Sequence, residues 1–530
     1  MFLYDTTLRD GAQGQSVTFS LQDKEQILQR LDEVGMHFIE AGNPASNPRD
    51  AELYERLRTW KPKHARLVAF GSTHRVGVRA HEDAGLNVLA GVGCECTAIF
   101  GKSWDFHVTD VLRTTLQDNL NMIYDSVQFL VRAGKTVFFD AEHFFDGYAA
   151  NPRYAMDTLE AARSAGAEFL VLCDTNGGTL PEDIRNTVAA VCERYAGHVG
   201  IHCHNDSGVA VAGSLTAVRM GATMVQGTIN GLGERCGNAD LCSVIPNLVL
   251  KMKVDCFPAL HEITGLSHFV SSVANLSHDG RMPYVGQSAF THKGGMHIDG
   301  VLKNPRTFEH IRPEDVGNSR SFVISDLAGR NSLINRIHEV DPTVEKDSPI
   351  VQHIFHKLKQ MEFEGYHFED ADDSFLLMVR KQLGLYKRFY EVLDFQVFCQ
   401  RPEDVTYTIA TIKVRVDNQI EVTAAEGDGP VNALDCALRK VLTIFYPQLE
   451  RLRLTDFKVR VVSDGGTASR VRVFIRSTDG EHNFGTVGVS TSILQAAWTA
   501  LVDSIDAMLL CCPPERTENL QSPEEREQKK

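Results

Sequence analysis

Short apolar, β-branched runs alternate with longer amphipathic stretches through the first half of the chain, the pattern of repeated βα units around a parallel sheet. Eight runs predict strands: FLYDTT from Phe2, HFIEAG from His37, RLVAFG from Arg66, NVLAGVG from Asn87, TVFFDAEH from Thr136, EFLVLCDT from Glu168, VGIHCHND from Val199 and MVQGTING from Met224. The stretches between them read as helices. In SLQDKEQILQRLDEVG, Ser20 is placed to N-cap, Asp23 stands at N3 as in a capping box with Asp in place of Glu, and Gly35 supplies the C-cap. Eight strands alternating with helices over about 250 residues match a (β/α)8 TIM barrel, whereas a doubly wound sheet usually needs fewer strands. A barrel carries its chemistry at the C-terminal strand ends. Polar clusters fall there: DTTLRDGAQ after the first run, DAEH after the fifth, CDTNGG after the sixth, HCHND after the seventh and TINGLGERCGN after the eighth.

Past the barrel the strand rhythm stops, and residues 259–390 read as helical linker subdomains around a Gly-rich insert, THKGGMHIDG. Strands then return. FQVFC, TIKVRV and IEVTAAE precede a helix at PVNALDCALRKVLTIFYP, and FKVRVV, SRVRVFI and HNFGTVGV precede another at TSILQAAWTALVDSIDAMLL. This duplication predicts a C-terminal α+β domain of two βββα units, packed on each other or across a dimer axis. The expected division is a barrel at 1–258, linker at 259–390, C-terminal domain at 391–512 and, in the polar aperiodic stretch 513–530, a disordered tail.

At 530 residues the chain holds two to four domains on a prior of about 150 residues each. Lys and Arg number 54 against 69 Asp and Glu, a formal charge of −15, so nothing in the balance points to an electrostatic grip on nucleic acid. Hydrophobic residues at 43% and charged ones at 23% are ordinary for a globular protein. Twelve cysteines without a CxxC pair fit a reducing cytosol. The N-terminus lacks a basic region followed by an apolar stretch, and no window has roughly 18 uninterrupted apolar residues, so a soluble cytoplasmic protein with no membrane partner is expected.

His202 and His204 are spaced i, i+2 in a predicted strand, which aims both at the barrel interior. Taken alone, that spacing suits two ligands of one metal or two hydrogen-bonded histidines. A mixed imidazole and oxygen site would add Asp10, just past the first strand, and Asn238, since closure sets the first strand beside the eighth. Asp10 reads equally as a helix cap or turn residue paired with Arg9, and Asn238 as a turn residue in a Gly-rich loop. Arg9 is suited to stabilise an alkoxide forming on a carbonyl. Glu142 is a base or orienting group, or a buried bridge to barrel neighbours; Thr175 is a donor to a substrate carboxylate, or a cap on the next helix. Cys94 and Cys96 are either a soft-metal pair or small buried residues near the end of the fourth strand.

DTTLRDGAQ, HCHND, GTINGLGERCGNADL and THKGGMHIDGVLKN together resemble the 2-isopropylmalate, homocitrate and citramalate synthases, metalloenzymes that condense an acyl-CoA on a TIM barrel. The resemblance covers most of the chain. Within the family, RDGAQGQSVTFSLQDK, EHFFDGY, LCDTNGG and KNPRTFEHIRPEDVGN look most like the long-form citramalate synthases, which join pyruvate to acetyl-CoA. The resemblance implies a divalent ion (Mn, Mg or Zn) on Asp10, His202, His204 and Asn238, Arg9 as electrophilic helper, and Gln13, Glu142 and Thr175 as substrate-site groups. It also implies that His297 and Asp299 act near the acyl-CoA from the linker region of a partner subunit; read alone, His297 is a surface loop histidine. AAEGDGPVNALDCALRK resembles the family's regulatory domain, which implies a homodimer and an amino-acid effector, isoleucine in the citramalate branch. Several relatives carry tyrosine eleven residues after the histidine matching His297, where this chain has Phe308. The resemblance leaves three competitors: a 2-isopropylmalate synthase accepting 2-oxoisovalerate, a lyase of the 3-hydroxy-3-methylglutaryl-CoA type, and a non-catalytic amino-acid sensor. The lyase's cysteine-containing glycine loop is absent, GLGERCGN standing there instead, and the intact Arg9, Asp10, His202 and His204 set speaks against the sensor.

Overall fold

A computed structural model describes residues 1–322, 330–400, 407–462 and 466–513, so the expected tail lies, apart from residue 513, outside the described residues. The chain divides into two compact units, Met1–Thr291 with Glu309–Ser321, and His292–Phe308 with Phe322–Lys530.

In the first unit β1 (Phe2–Asp5), β2 (Phe38–Gly42), β3 (Arg66–Ser72), β4 (Cys96–Lys102), β5 (Thr136–Glu142), β6 (Phe169–Asp174), β7 (Val199–Cys203) and β8 (Met224–Gly227) close in chain order into a barrel. The strands are parallel, and closure pairs Phe2 with Met224 and Asp5 with Gly227. Strands buried on both faces explain the near-continuous apolar runs. One face packs on the helices as a single large core, and the other fills the barrel with Tyr4, Phe38, Val68, Phe138, Phe169, Val171 and Met224. Phe138 is the hub of that interior layer, with ring centroids 5.0 Å from Phe38 and 5.6 Å from both Tyr4 and Phe169. Moving up by two residues replaces apolar groups with polar ones on three of these strands: Phe38 by Glu40, Phe138 by Asp140, and Met224 by Gln226. The barrel is therefore plugged below and polar above.

One strand stands elsewhere than expected. NVLAGVG falls on the helix Ala84–Gly91 and its end, and β4 is the following run, CTAIFGK. A short apolar run bounded by turn residues does not by itself distinguish strand from helix. Here Asp83 decides it, since its carboxylate accepts the N–H groups of Gly85 and Leu86 and caps a helix. Cys96 accordingly opens β4 and Cys94 precedes it. Both are buried, and burial raises their thiols to about 12 and about 11. The expected capping box is present at Leu21–Glu33: Ser20 Oγ accepts from Asp23 N, and Asp23 Oδ2 accepts from Ser20 N. Gly35, at φ +92°, follows that helix, and Met36 N and Gly35 N reach back to Leu31 O and Asp32 O. Ser20→Ala is expected to destabilise the barrel by about 1 kcal/mol, read as a lower denaturant midpoint.

The second unit contains both βββα repeats. β9 (Glu391–Gln400), β10 (Tyr407–Val416) and β11 (Gln419–Gly427) form one antiparallel meander, followed by the helix Pro430–Leu442. β12 (Arg453–Val461), β13 (Val471–Thr478) and β14 (Asn483–Ser490) form the other, followed by the helix Ile493–Cys511. That last helix is long and apolar enough to span a membrane by length and composition, yet it is mostly buried against its own sheet. It carries Asp503 and Asp506, which accept hydrogen bonds from Ser374 and Tyr386.

Candidate active site

Above the aromatic plug lies a cavity of about 230 Å³ at the C-terminal strand ends, lined by Arg9, Asp10, Gln13, Phe70, Phe100, Asp140, Glu142, Cys173, Thr175, His202, His204, Glu234 and Arg235. Seven of the ten site residues that the resemblance implies meet here. A larger cavity of about 740 Å³, between the 74–81 loop and the helix Leu116–Arg132, holds none of them, and size alone is a poorer guide than convergent polar groups.

Asp10, His202 and His204 form the centre. Their ligand atoms lie within 4.8 Å of one another, with Asp10 Oδ2 at 3.3 Å from His202 Nε2 and 3.8 Å from His204 Nε2. His202 on β7, His204 one residue past the end of that strand, and the turn after β1 produce this arrangement. Asp10 stands at the head of the short turn Gly11–Gln13 but makes no side-chain cap there. Burial alone would raise its carboxyl; the Arg9 guanidinium and the hydrogen bond from His202 instead hold it well below the usual carboxylate range. Burial and the neighbouring His202 push His204 down to about 4, leaving it neutral.

His202 Nδ1 sits 3.1 Å from Gln226 Oε1, and Gln226 Nε2 reaches Asp140 Oδ1 at 3.4 Å, an outer partner that orients the imidazole. Asn238 pairs with His204 through the backbone. Its Nδ2 donates to Leu232 O at 3.0 Å, while its buried Oδ1 has no hydrogen-bond partner among the described residues. Buried polar atoms are rarely left unsatisfied. Two imidazoles, a carboxylate and an orphaned amide oxygen are a donor set that fits a divalent cation.

Arg9 is held from below and from the side. Its Nε donates to Glu40, which also accepts the Tyr4 hydroxyl at 2.6 Å, and its guanidinium carbon lies 3.8 Å from the centroid of Phe70. Glu40 is fully buried and had no signal in the sequence beyond an acid in an apolar strand. Burial and the Glu40 charge raise Asp140 to about 7. Glu142 faces the cavity with Lys102 of the adjacent strand bonded to it, the two being register partners on β4 and β5. Thr175 does not cap the next helix, which starts at Pro181; its Oγ1 accepts the His143 N–H at 2.9 Å. Arg235 straps the loop after β8 in place, with bonds to Asp206 at 2.8 and 3.0 Å and to Thr175 O at 2.7 Å.

His297 and Asp299 belong to the second unit, on the helix Gly295–Lys303. His297 is therefore helical rather than a loop residue. Phe308 lies flat on its imidazole, ring centroids 4.1 Å apart at 18°, and reaches it over Gly300, where a Cβ would come within 2.7 Å of the phenyl ring. The phenyl thus orients His297 by stacking where a hydroxyl would do so by hydrogen bonding. Asp299 pairs with Lys303 at 2.6 Å.

Three family models match successive parts of the chain. The HMGL-like family model matches residues 1–270, the homocitrate synthase post-HMGL domain-like model 284–365, and the LeuA allosteric (dimerisation) domain model 369–509. The (R)-citramalate synthase of Aquifex aeolicus is 49% identical over 511 residues, covering 95% of this chain and 97% of that one. That of Geobacter sulfurreducens is 48% identical over 512 residues, covering 96% and 97%. The 2-isopropylmalate synthase of Clostridium kluyveri is more distant, 28% identical over 521 residues, covering 96% of each.

Proposed function

The chain belongs to the (R)-citramalate synthase family, and we propose that its barrel cavity condenses acetyl-CoA with pyruvate, giving (R)-citramalate and CoA in a route to isoleucine. The acetyl group becomes an alkyl group on transfer. The observation that carries this reading is the buried set Asp10, His202 and His204 beside Arg9 in one cavity at the barrel mouth. With Asn238 Oδ1, these three residues would hold a divalent ion (Mn²⁺, Mg²⁺ or Zn²⁺), which supplies Lewis-acid polarisation of the acceptor's keto group.

The chain's own groups do the rest. Thr175, its oxygen already accepting the His143 N–H, keeps its hydroxyl proton for the acceptor carboxylate, and Gln13 adds a donor beside Arg9. Glu142, anchored by Lys102, takes a proton from the methyl group of acetyl-CoA. The resulting carbon adds to the keto carbon, and Arg9 stabilises the negative charge gathering on its oxygen. Water then cleaves the thioester and CoA leaves as the thiol. We assign His297 and Asp299 to proton movement in that second stage, from the linker helix of a second copy. A neighbouring cavity of about 290 Å³ shares Arg9, Gln13 and Phe70 and is lined further by Asn43, Asn47 and Arg49, which suits the polar acyl donor.

Acceptor choice rests on Phe70 and Phe100, which stack at 5.6 Å and wall the cavity. Bulk there favours a methyl over an isopropyl substituent. Phe100→Ala is expected to raise kcat/KM for 2-oxoisovalerate relative to pyruvate about tenfold or more.

For the second unit we propose homodimerisation and isoleucine control. Ile420 and Val422 on β11, and Leu454, Phe457, Val459 and Val461 on β12, leave apolar surface exposed, which supports a second copy as its cover. A pocket of about 260 Å³ between Val431, Leu454, Phe457 and Leu501, with Asn432 and Asp435 at its edge, suits a branched apolar amino acid. Free cysteines throughout support a reducing, cytoplasmic setting.

The test is CoA release from acetyl-CoA with pyruvate, 2-oxobutyrate or 2-oxoisovalerate, with and without isoleucine or leucine. Preference for pyruvate with inhibition by isoleucine is expected. Preference for 2-oxoisovalerate would reassign the acceptor, and no thiol release with any acid would sink the reading.

A further inference from the structure

A second cluster, in the other unit, is used by none of the chemistry above. The β13–β14 turn runs through Asp479, Gly480 at φ +96°, Glu481 and His482. Asp479 is buried, and its Oδ1 accepts the N–H groups of Glu481 at 2.9 Å and His482 at 2.7 Å. Its Oδ2 lies 3.3 Å from His482 Nδ1 and accepts the Cys512 thiol at 3.7 Å. Thr478 Oγ1 closes the turn by donating to His482 O at 2.7 Å and accepting from Gly480 N at 3.1 Å. The imidazole is therefore carried on a fixed hairpin. The helix Ile493–Cys511, which packs on β13 and β14, delivers Cys511 and Cys512 to the same place. One ring nitrogen of His482 and both thiol sulfurs lie within 4.8 Å of one another.

We propose that His482, Cys511 and Cys512 form a binding site for a thiophilic divalent cation of the Zn²⁺ class, with Asp479 as the outer carboxylate that orients the imidazole. Two thiolates and an imidazole are the donor set Zn²⁺ selects over Mg²⁺ or Ca²⁺, and three protein ligands leave a fourth position for water. A carboxylate beside the imidazole is a common outer support of a metal-binding histidine. Binding displaces the two thiol protons to solvent. The donors come from a hairpin turn and a helix end remote in sequence, so the bound ion ties the end of the last described helix to the sheet beneath it. The barrel cluster differs in kind: its donors are imidazole, carboxylate and amide oxygen, suited to harder ions as well.

The full-length reduced protein distinguishes the two sites. With Co²⁺ as probe, the wild type is expected to show thiolate-to-cobalt charge-transfer absorption that the Cys511→Ser, Cys512→Ser double variant lacks, while both retain CoA release with pyruvate. Zinc content after equilibration and desalting is expected to be lower in the double variant by one ion per chain. His482→Ala, which keeps both thiols, is expected to weaken zinc binding at this site by about 100-fold, no less than the loss of an outer-shell partner costs elsewhere. A wild type without the thiolate band, or equal zinc content and spectra in the wild type and double variant, would overturn the proposal.

Discussion

Turnover is expected to fall by ~10³-fold or more when His202 or His204 is replaced by alanine, because the several kcal/mol of transition-state stabilisation that a bound ion supplies are lost with its ligand. The two variants should fail together. His202 and His204 share one carboxylate oxygen of Asp10, at 3.3 and 3.8 Å, so neither imidazole makes a complete site without the other. The barrel itself should stay folded, since its interior is packed by the aromatic layer beneath and its outer core does not involve these residues. Gln226→Leu gives a graded version of the same test. It leaves Asp10, His202, His204 and Asn238 in place and removes the partner of His202 Nδ1 along with the Gln226 bond to Asp140, so metal affinity should drop about 10- to 100-fold while turnover at saturating metal recovers. Steady-state CoA release with far-ultraviolet circular dichroism on each variant checks both points; a folded His202→Ala with wild-type turnover would remove the cluster from the reaction.

Arg9→Lys is the second large effect, an expected loss of about 10²–10³ in kcat, the scale on which single oxyanion donors act. The guanidinium is not free to wander. Glu40 binds its Nε, Phe70 lies 3.8 Å beneath it, and Asp10 is 3.5 Å from Nη1. Burial alone would weaken its hold on the proton, but the charges of Glu40 and Asp10 more than reverse that and keep it cationic. A lysine keeps the charge but loses the planar fork, so it cannot hold Glu40 and face the developing alkoxide at once. The loss should therefore appear in kcat more than in KM for pyruvate. An equal rise in KM with kcat intact would mean that Arg9 only binds substrate.

The parts of this site that were legible in the sequence are those whose geometry is local. His202 and His204 share a face because of their i, i+2 spacing along and just past one strand, and Asp10 comes near them because closure sets β1 beside β8, which in turn pairs with β7. The duplicated βββα pattern was equally readable, each set of three β-branched, apolar runs being followed by an amphipathic helix. Groups that act across strands were not. Glu40 matters because β2 sets it under Arg9, and Lys102 because β4 and β5 run in register; neither relation leaves a mark in the local pattern. The misplaced fourth strand is the same lesson on a smaller scale, since the run from Asn87 is apolar enough for either element and a single carboxylate at Asp83 settled it as helix. Phe308, which stands where several relatives carry tyrosine, was readable as a departure, but its stacking on His297 through the gap left by Gly300 was not.

The most direct measurement is a titration of metal-stripped protein with Mn²⁺, following bound ion and citramalate formed from pyruvate and acetyl-CoA in the same samples, for the wild type and for the His202→Ala, His204→Ala double variant. Citramalate formation should rise in proportion to Mn²⁺ bound in the wild type, and both should be absent from the double variant. Citramalate formed at full rate without bound ion, or Mn²⁺ bound equally well by the double variant, would contradict the assignment of this cavity as the metal-dependent condensing site.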